Sequence, residues 1–211
     1  MLPGVCIEEK SAGRLFLSND TADTIGHGTA CAHRILQMCP EAQLIPVKIF
    51  HDDLGATGNE LNTALQWVLD QRVDIVNLSL TANDPETHGA LLELCNQLND
   101  AGVHIVAAAD NVTGTGIPAE LPFVFGVKAA PRRNMGYVGY NPITPIDCSA
   151  NGFVMQAPWI GSFNSIAAAT VSGFIGALTV HYGSMSQADL RALLSRLCIS
   201  DGAGKSSSQN P

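Results

Sequence analysis

Short apolar runs alternate with segments of helical periodicity along this chain, and this alternation limits the folds open to it more than any other feature. Strands separated by helices of about 10 to 15 residues need crossover connections, which place the strands parallel in one sheet. The predicted strands are Val5–Ile7, Gln43–Phe50, Asp74–Leu80, Val103–Ala109 and Phe123–Val127. The predicted helices are Gly28–Met38, Gly58–Gln71, Glu86–Asp100, Ser165–His181 and Ser186–Leu197. The sequence therefore predicts an α/β domain of three layers with a mostly parallel, doubly wound sheet.

Length and composition fit a single domain that binds no nucleic acid. The chain has 211 residues, of which 46% are hydrophobic and 14% charged, so it can bury a large core and is not a disordered protein. Its formal net charge is −8, whereas a phosphate-binding surface needs clustered Lys and Arg. We predict one domain over residues 1–201, followed by a small, polar and flexible tail over residues 202–211.

No membrane, metal or cofactor site is predicted from the sequence. No run reaches the roughly 18 apolar residues that a membrane helix needs, and Met1–Lys10 lacks the pattern of a signal peptide, so we expect a cytoplasmic protein. The six cysteines are scattered without a CxxC pair, which favours reduced, buried thiols over a disulfide framework. The Cys and His spacings match no metal-ligand pattern.

Four polar segments lie where a parallel sheet gathers its reactive groups, at strand ends and at the helices that follow them. They are Gly26–Ala32, Val76–Leu80, Ala107–Asn111 and Ser162–Gly173. Taken singly, each has an ordinary interpretation: a histidine at a helix start, a strand end, a turn asparagine and a serine cap. Their order and spacing carry more information than any one of them.

Together, the four segments resemble the subtilisin-type serine proteases. The resemblance runs from about Val5 to His181 and is sharpest in GHGTACA at 26–32 and VNLSL at 76–80. Further along, AAADN at 107–111 is similar to the family's AAGN, and the segment around Ser165 is similar to GTSMAAPHVAG. The resemblance implies a subtilisin-like fold and a serine endopeptidase that processes a specific peptide.

The same resemblance implies a role for each matching residue. Ser165 would be the nucleophile and His27 the general base, while the Asn111 amide and the Ser165 backbone N–H would hold the oxyanion. The segment of Ser79, Leu80 and Thr81 would supply a strand edge to which a peptide or protein substrate pairs in extended form.

The aspartate that completes the family's triad is absent. Residues 5–11 read VCIEEKS, and Glu8 falls at the matching position. We predict Glu8 as the third member. On a regular strand Glu9 would point to the opposite face, so it is the reserve should the strand bulge there. Asp20 and Asp23 are interpreted as loop residues.

Further departures surround the nucleophile and leave the activity open. Phe163 and Asn164 replace Gly-Thr, Ala169 replaces a proline, and Asp110 replaces a glycine beside the oxyanion donor, where a negative charge facing the site would oppose catalysis. One hypothesis is an active peptidase. Another is a pseudoprotease that keeps the fold as a peptide- or partner-binding module, and acyl transfer fits the same residues. Oligomeric state and protein partners are also open.

Overall fold

The structure is a computed structural model that describes residues 1–10, 13–82, 84–131, 134–156 and 158–198. The predicted tail at 202–211, and residues 199–201 of the predicted domain, lie outside this part. The strands are β1 Val5–Lys10, β2 Arg14–Ser18, β3 Val47–Lys48, β4 Ile75–Leu78, β5 His104–Ala108, β6 Val124–Ala130, β7 Val138–Tyr140, β8 Cys148–Asn151, β9 Phe153–Gln156 and β10 Trp159–Ser162. The helices are α1 His27–Met38, α2 Gly58–Leu69, α3 His88–Asp100, α4 Asn164–Tyr182 and α5 Gln187–Leu197.

The central sheet confirms the predicted architecture. Its strand order is β4-β5-β6-β8-β7, and every pairing is parallel except that of β7 with β8. Along β5 the side chains alternate: Ile105 and Ala107 enter the core beneath α2 and α3, whereas Val106 and Ala108 enter the core beneath α4 and α5. The sheet is therefore covered by helices on both faces, as a doubly wound fold requires.

Two smaller sheets flank the central one, and both contain strands that the sequence did not predict. Strand β1 pairs in parallel with β3 and in antiparallel with β2, so the predicted strand at Val5–Ile7 continues to Lys10 as half of a hairpin. Strands β9 and β10 form a second hairpin, in a region where the sequence analysis predicted no strand. The first hairpin contacts the start of α2 through Glu9, and the second contacts the chain ahead of α1 through Trp159.

Helix α4 runs through the middle of the domain. Ala167, Ala168, Val171 and Ile175 are fully buried, while Phe174 is only partly buried. The helix has the length and mean hydropathy, 1.3, of a membrane span, but 61% of that stretch is buried inside the domain, as in a core helix. The six cysteines are unpaired, and all except the partly exposed Cys198 are buried.

Helices α1 and α4 pack closely because α4 presents small residues to α1. A Cβ atom at Gly173 would lie 2.8 Å from the Ile35 carbonyl oxygen and 2.6 Å from the Met38 Cβ. One turn on, a Cβ at Gly176 would meet Cys39 Sγ at an ordinary 3.5 Å. The contact is thus tightest at Gly173.

We expect Gly173→Ala to lower the free energy of unfolding by about 1–3 kcal/mol, because the added methyl group overpacks the contact between the helices. Gly176→Ala is the matched control on the same helix, and it should raise the stability by up to about 1 kcal/mol through helix propensity. Urea unfolding followed by tryptophan fluorescence measures both. Equal effects of the two substitutions would contradict this account of the α1–α4 contact.

Candidate active site

Ser165 lies in the first turn of α4, with its hydroxyl on the wall of a cleft. The side chain is nearly buried, and Oγ donates a hydrogen bond to the Ser79 carbonyl oxygen at 3.3 Å. In return, Ser79 Oγ donates to the Ser165 carbonyl oxygen at 2.9 Å. Among the described residues, no acceptor takes the Ser165 backbone N–H, as expected in the first turn of a helix. The start of α4 thus offers a hydroxyl and a free N–H side by side.

A buried polar chain fixes Ser79 behind the serine. Asn77 Nδ2 donates to Ser79 Oγ at 2.9 Å, and Ser172 Oγ donates to Asn77 Oδ1 at 2.9 Å. Cys31 Sγ lies 3.4 Å from Ser79 Oγ, and burial raises the pKa of this thiol to about 11, so it stays protonated. Sequence reasoning assigned Ser79 to the substrate edge and missed that its side chain holds the backbone of Ser165.

His27 opens helix α1 directly after Gly26, whose φ of +84° allows the sharp entry into the helix. The imidazole is 8% exposed and packs against two aromatic rings. Its centroid lies 5.5 Å from that of Trp159 and 6.0 Å from that of Phe50. Burial lowers the pKa of His27 below its ordinary value, although the charge of Asp23 acts in the opposite direction. The ring is therefore neutral at pH 7 and able to accept a proton.

Asp23 caps the start of α1 and was missed as a site residue. Its Oδ1 accepts the backbone N–H groups of Ile25 and Gly26, and its Oδ2 accepts both the N–H and the hydroxyl of Thr29. These bonds hold the carboxylate beside the histidine without pairing it to the ring. The signal in the sequence was an aspartate just ahead of a helix start, which is a common capping arrangement.

The structure does not bring Glu8, the predicted third member of the triad, to His27. Because β1 continues past Ile7 into the hairpin, Glu8 lies within a strand rather than at its end, and its carboxylate pairs with Lys10 at 3.2 Å. Glu9, the reserve, accepts a hydrogen bond from Thr57 Oγ1 at the start of α2. The described residues bring no carboxylate within ion-pairing distance of the His27 ring.

Asn111 stands at the mouth of the cleft, and Asn164 orients it. The Asn164 backbone N–H donates to Asn111 Oδ1 at 2.9 Å, which leaves Nδ2 as the donor of this side chain. The buried Asn164 side chain donates to the carbonyls of Ala109 and Asp110 and accepts from the Ala129 N–H. Asn164 thereby ties β5, β6 and the start of α4 together, a role hidden in the sequence because it replaces the family's threonine.

Asp110 turns its carboxylate into a surface turn. Its Oδ1 accepts the backbone N–H groups of Thr113 and Val112 and the Thr113 hydroxyl. The backbone hydrogen bonds hold the pKa of Asp110 below its ordinary value. Asp110 Oδ1 therefore accepts hydrogen bonds within this turn.

One cleft of about 400 Å³ gathers the predicted residues. Its lining includes His27, Ser165 and Asn111 together with the segment Ser79–Thr81. Among the described residues, no backbone partner takes the N–H or carbonyl of Leu80. Within the part of the chain that the structure describes, the cleft wall therefore carries the unpaired backbone of Leu80 together with the serine, the histidine and the amide.

Comparisons with known proteins show the family to which the chain is similar. The model of the Subtilase family matches residues 16–206. The chain is 39% identical over 66 residues to the subtilisin-like protease het-Q2 of Podospora anserina, which is 28% of this chain and 17% of that protein. It is 32% identical over 119 residues to the minor extracellular protease Epr of Bacillus subtilis, which is 51% of this chain and 18% of that protein. The chain thus spans less than a fifth of either relative.

Solved structures share the fold at lower identity. A cold-adapted subtilisin-like serine proteinase superposes with a TM-score of 0.71 at 21% identity, covering 87% of this chain and 73% of that one. The prenylagaramide maturation protease PagA gives 0.62 at 21% identity, covering 82% and 73%. A lanthipeptide protease gives 0.60 at 16% identity, covering 83% and 68%. These likenesses show the fold.

We predict that His27 titrates below the ordinary 6.5 of an imidazole, because burial disfavours its charged form. The unfolded chain then takes up this proton first, so the free energy of unfolding falls as the pH drops below 6.5 and until native His27 is protonated. Asp23→Asn should lower the pKa further, whereas Asp20→Asn, in the same loop, is the control. NMR titration of the ring resonances measures this, and a midpoint above 6.5 would contradict it.

Proposed function

The chain belongs to the subtilase family, and from that membership we propose that it is a serine peptidase in which Ser165 and His27 act as a catalytic pair. The observation that carries the proposal is the convergence of Ser165, His27 and Asn111 on one cleft. This convergence supports the assignment of a nucleophile, a base and an oxyanion donor of acyl transfer to one space.

Ser165 Oγ would attack the carbonyl carbon of a peptide bond after its hydroxyl turns from the Ser79 carbonyl to the imidazole. His27, neutral at pH 7, would take the hydroxyl proton and then give it to the leaving amine. Asn111 Nδ2 and the Ser165 N–H would bind the oxyanion, which develops at the positive end of the α4 dipole. Water would then attack the acyl-enzyme, with His27 taking a proton from the water and giving it to Ser165 Oγ as the acid product leaves.

A serine–histidine pair of this kind lacks the usual carboxylate partner. The imidazolium that forms during the reaction needs stabilisation, and Asp23 is the acid whose charge acts on His27. Asp23 would supply this by Coulomb attraction from its place at the helix cap, without a hydrogen bond to the ring. Such a site is weaker than a full triad and suits the processing of one substrate rather than general digestion.

The substrate we propose is a peptide bound in extended form along Ser79–Thr81. The unpaired backbone of Leu80 is suited to β-strand addition, which binds main chain irrespective of side chains. Two proteins of similar fold are named as a lanthipeptide protease and a prenylagaramide maturation protease, and these names support the proposal of a processing role. Six free thiols fit a reducing compartment such as the cytoplasm.

A peptide-binding pseudoprotease is the second candidate. Two observations favour it: the Ser165 hydroxyl donates to the Ser79 carbonyl, and the described residues pair no carboxylate with His27. Such a module would use the same cleft and the same Leu80 edge, and it would release its peptide uncut.

An alkyl fluorophosphonate probe separates the two functions. We expect Ser165 Oγ to displace fluoride and form a stable adduct, mapped by mass spectrometry, which Ser165→Ala abolishes. Asn111→Ala should slow the reaction by about 10²–10³-fold, the loss known for one oxyanion-hole donor in a subtilisin. Val112→Ala, its exposed neighbour, is the control. Absence of any adduct between pH 6 and pH 9, about the range in which the imidazole is neutral, would favour the pseudoprotease.

A second prediction concerns the carboxylate. Glu8→Gln and Glu9→Gln should leave the labelling rate of Ser165 unchanged, because both side chains are engaged away from His27. Asp23→Asn should slow labelling several-fold, since it removes the charge that favours the imidazolium. A loss near 10⁴-fold in Glu8→Gln, the size expected for a triad carboxylate, would overturn this assignment and restore Glu8 to the triad.

A further inference from the structure

We propose that Trp159, on strand β10, is a positioning residue that holds the His27 ring in place for Ser165. The proposal rests on the proposed function, because it explains how an imidazole without a carboxylate partner keeps one orientation. In the usual triad a hydrogen bond to a buried carboxylate fixes that ring. Here the contact with the Trp159 ring would restrict the imidazole instead.

The indole is fixed at both of its ends. Trp159 Nε1 donates to the Ile25 carbonyl oxygen at 3.2 Å, just ahead of helix α1. The rings of Trp159 and His27 meet edge to face, with centroids 5.5 Å apart at an interplanar angle of 74°. Phe163 meets the other side of the indole at 6.1 Å and 87°. Edge-to-face contacts of this kind are favourable and directional, so they restrict rotation of the imidazole.

Gly26 brings the indole close to the start of α1. A Cβ at this position would lie 3.6 Å from Trp159 Nε1, so the indole lies directly over the backbone that precedes His27. Phe50 packs against His27 as well, with centroids 6.0 Å apart and the planes tilted by 60°. The imidazole thus has an aromatic ring from the β10 hairpin and another from the chain after β3.

The hairpin that carries Trp159 is itself tied to α1. The buried Arg34 guanidinium donates to the Phe153 carbonyl at 2.7 Å and to the Asn151 carbonyl at 3.0 Å, at the base of β9. The Phe163 N–H donates to the Gly152 carbonyl at 3.0 Å, which closes the hairpin against the start of α4. Trp159 therefore moves with the two helices that carry His27 and Ser165.

The effect of Trp159 on the His27 pKa can be separated from the effects of nearby charged groups. The hairpin contains no ionisable residue over 153–162, and the first turn of α4 contains no acid. His51, next to Phe50, directs Nε2 to the Ile7 carbonyl at 2.9 Å and to Glu60. Asp23 is the charge that acts on His27, and it stays when Trp159 is replaced. A change in the His27 pKa when Trp159 is replaced therefore reports the loss of the aromatic contact and of the burial of the imidazole.

The test compares Trp159→Leu and Trp159→Phe with Trp67→Leu, the matched control at the other tryptophan of the chain, on helix α2. Trp159→Leu should slow fluorophosphonate labelling of Ser165 by about 10²-fold, the size of loss that a misplaced catalytic group produces. It should also raise the His27 pKa toward 6.5 in an NMR titration, because the ring gains solvent. Trp159→Phe, which keeps an aromatic edge, should fall between the parent and Trp159→Leu.

The outcomes separate this proposal from the proposed function. Parent-like labelling and titration in Trp159→Leu, or an equal loss in Trp67→Leu, would overturn the positioning role. If the parent itself forms no adduct, the peptidase proposal fails, and the His27 titration alone then decides whether Trp159 holds the ring. Thermal unfolding of each variant identifies one that has lost its fold, in which case Trp159→Phe decides.

Discussion

The close contact between helices α1 and α4 is the interaction on which the site depends. His27 begins α1, and Ser165 lies in the first turn of α4, 138 residues later in the sequence (165 minus 27). The two residues line the same cleft because the starts of these helices lie side by side. Small residues make this approach possible, above all Gly173, where no Cβ fits. Ala30 and Ala169 are buried together near the same contact. Any shift of one helix along the other would separate His27 from Ser165, so in the proposed peptidase this packing would affect catalysis directly.

Polar groups buried around this contact are satisfied locally, and each also fixes an element of the site. Arg34 donates to backbone carbonyls of β8 and β9 and to Thr170 Oγ1 on α4, so the cation joins α1, α4 and the β9–β10 hairpin. Asn164 joins the ends of β5 and β6 to the start of α4 and orients Asn111. Leaving such groups unpaired would cost about 1–3 kcal/mol each, so the geometry of the site is coupled to the stability of the fold.

The sequence predicts helices α1 to α5 and the central strands β4, β5 and β6, because long periodic segments and buried β-runs carry strong local signals. Strands β7 and β8 of the same sheet were not predicted. Ser186, for example, where the last helix is predicted to begin, caps α5 by accepting from the Asp189 N–H. The hairpins were missed because β2 has little burial and β9 and β10 form a separate two-stranded sheet outside the central one. Because the first hairpin was missed, the predicted position of Glu8 was wrong. A strand that ended at Ile7 would leave Glu8 at its end, whereas in the hairpin Glu8 lies within β1 and pairs with Lys10. No sequence pattern pointed to Trp159, because it contacts His27 only in the folded chain, across 132 residues of sequence (159 minus 27).

The central claim is that Ser165, His27 and Asn111 form one acyl-transfer site that works without a paired carboxylate. A crystal structure of the phosphonate adduct is the most direct measurement of it. The account predicts a covalent bond from Ser165 Oγ to phosphorus and a phosphonyl oxygen bound by Asn111 Nδ2 and the Ser165 N–H. It also predicts that the His27 ring lies against Trp159, with no carboxylate hydrogen-bonded to it. A phosphonyl oxygen bound away from Asn111, or a glutamate drawn onto His27, would contradict the account.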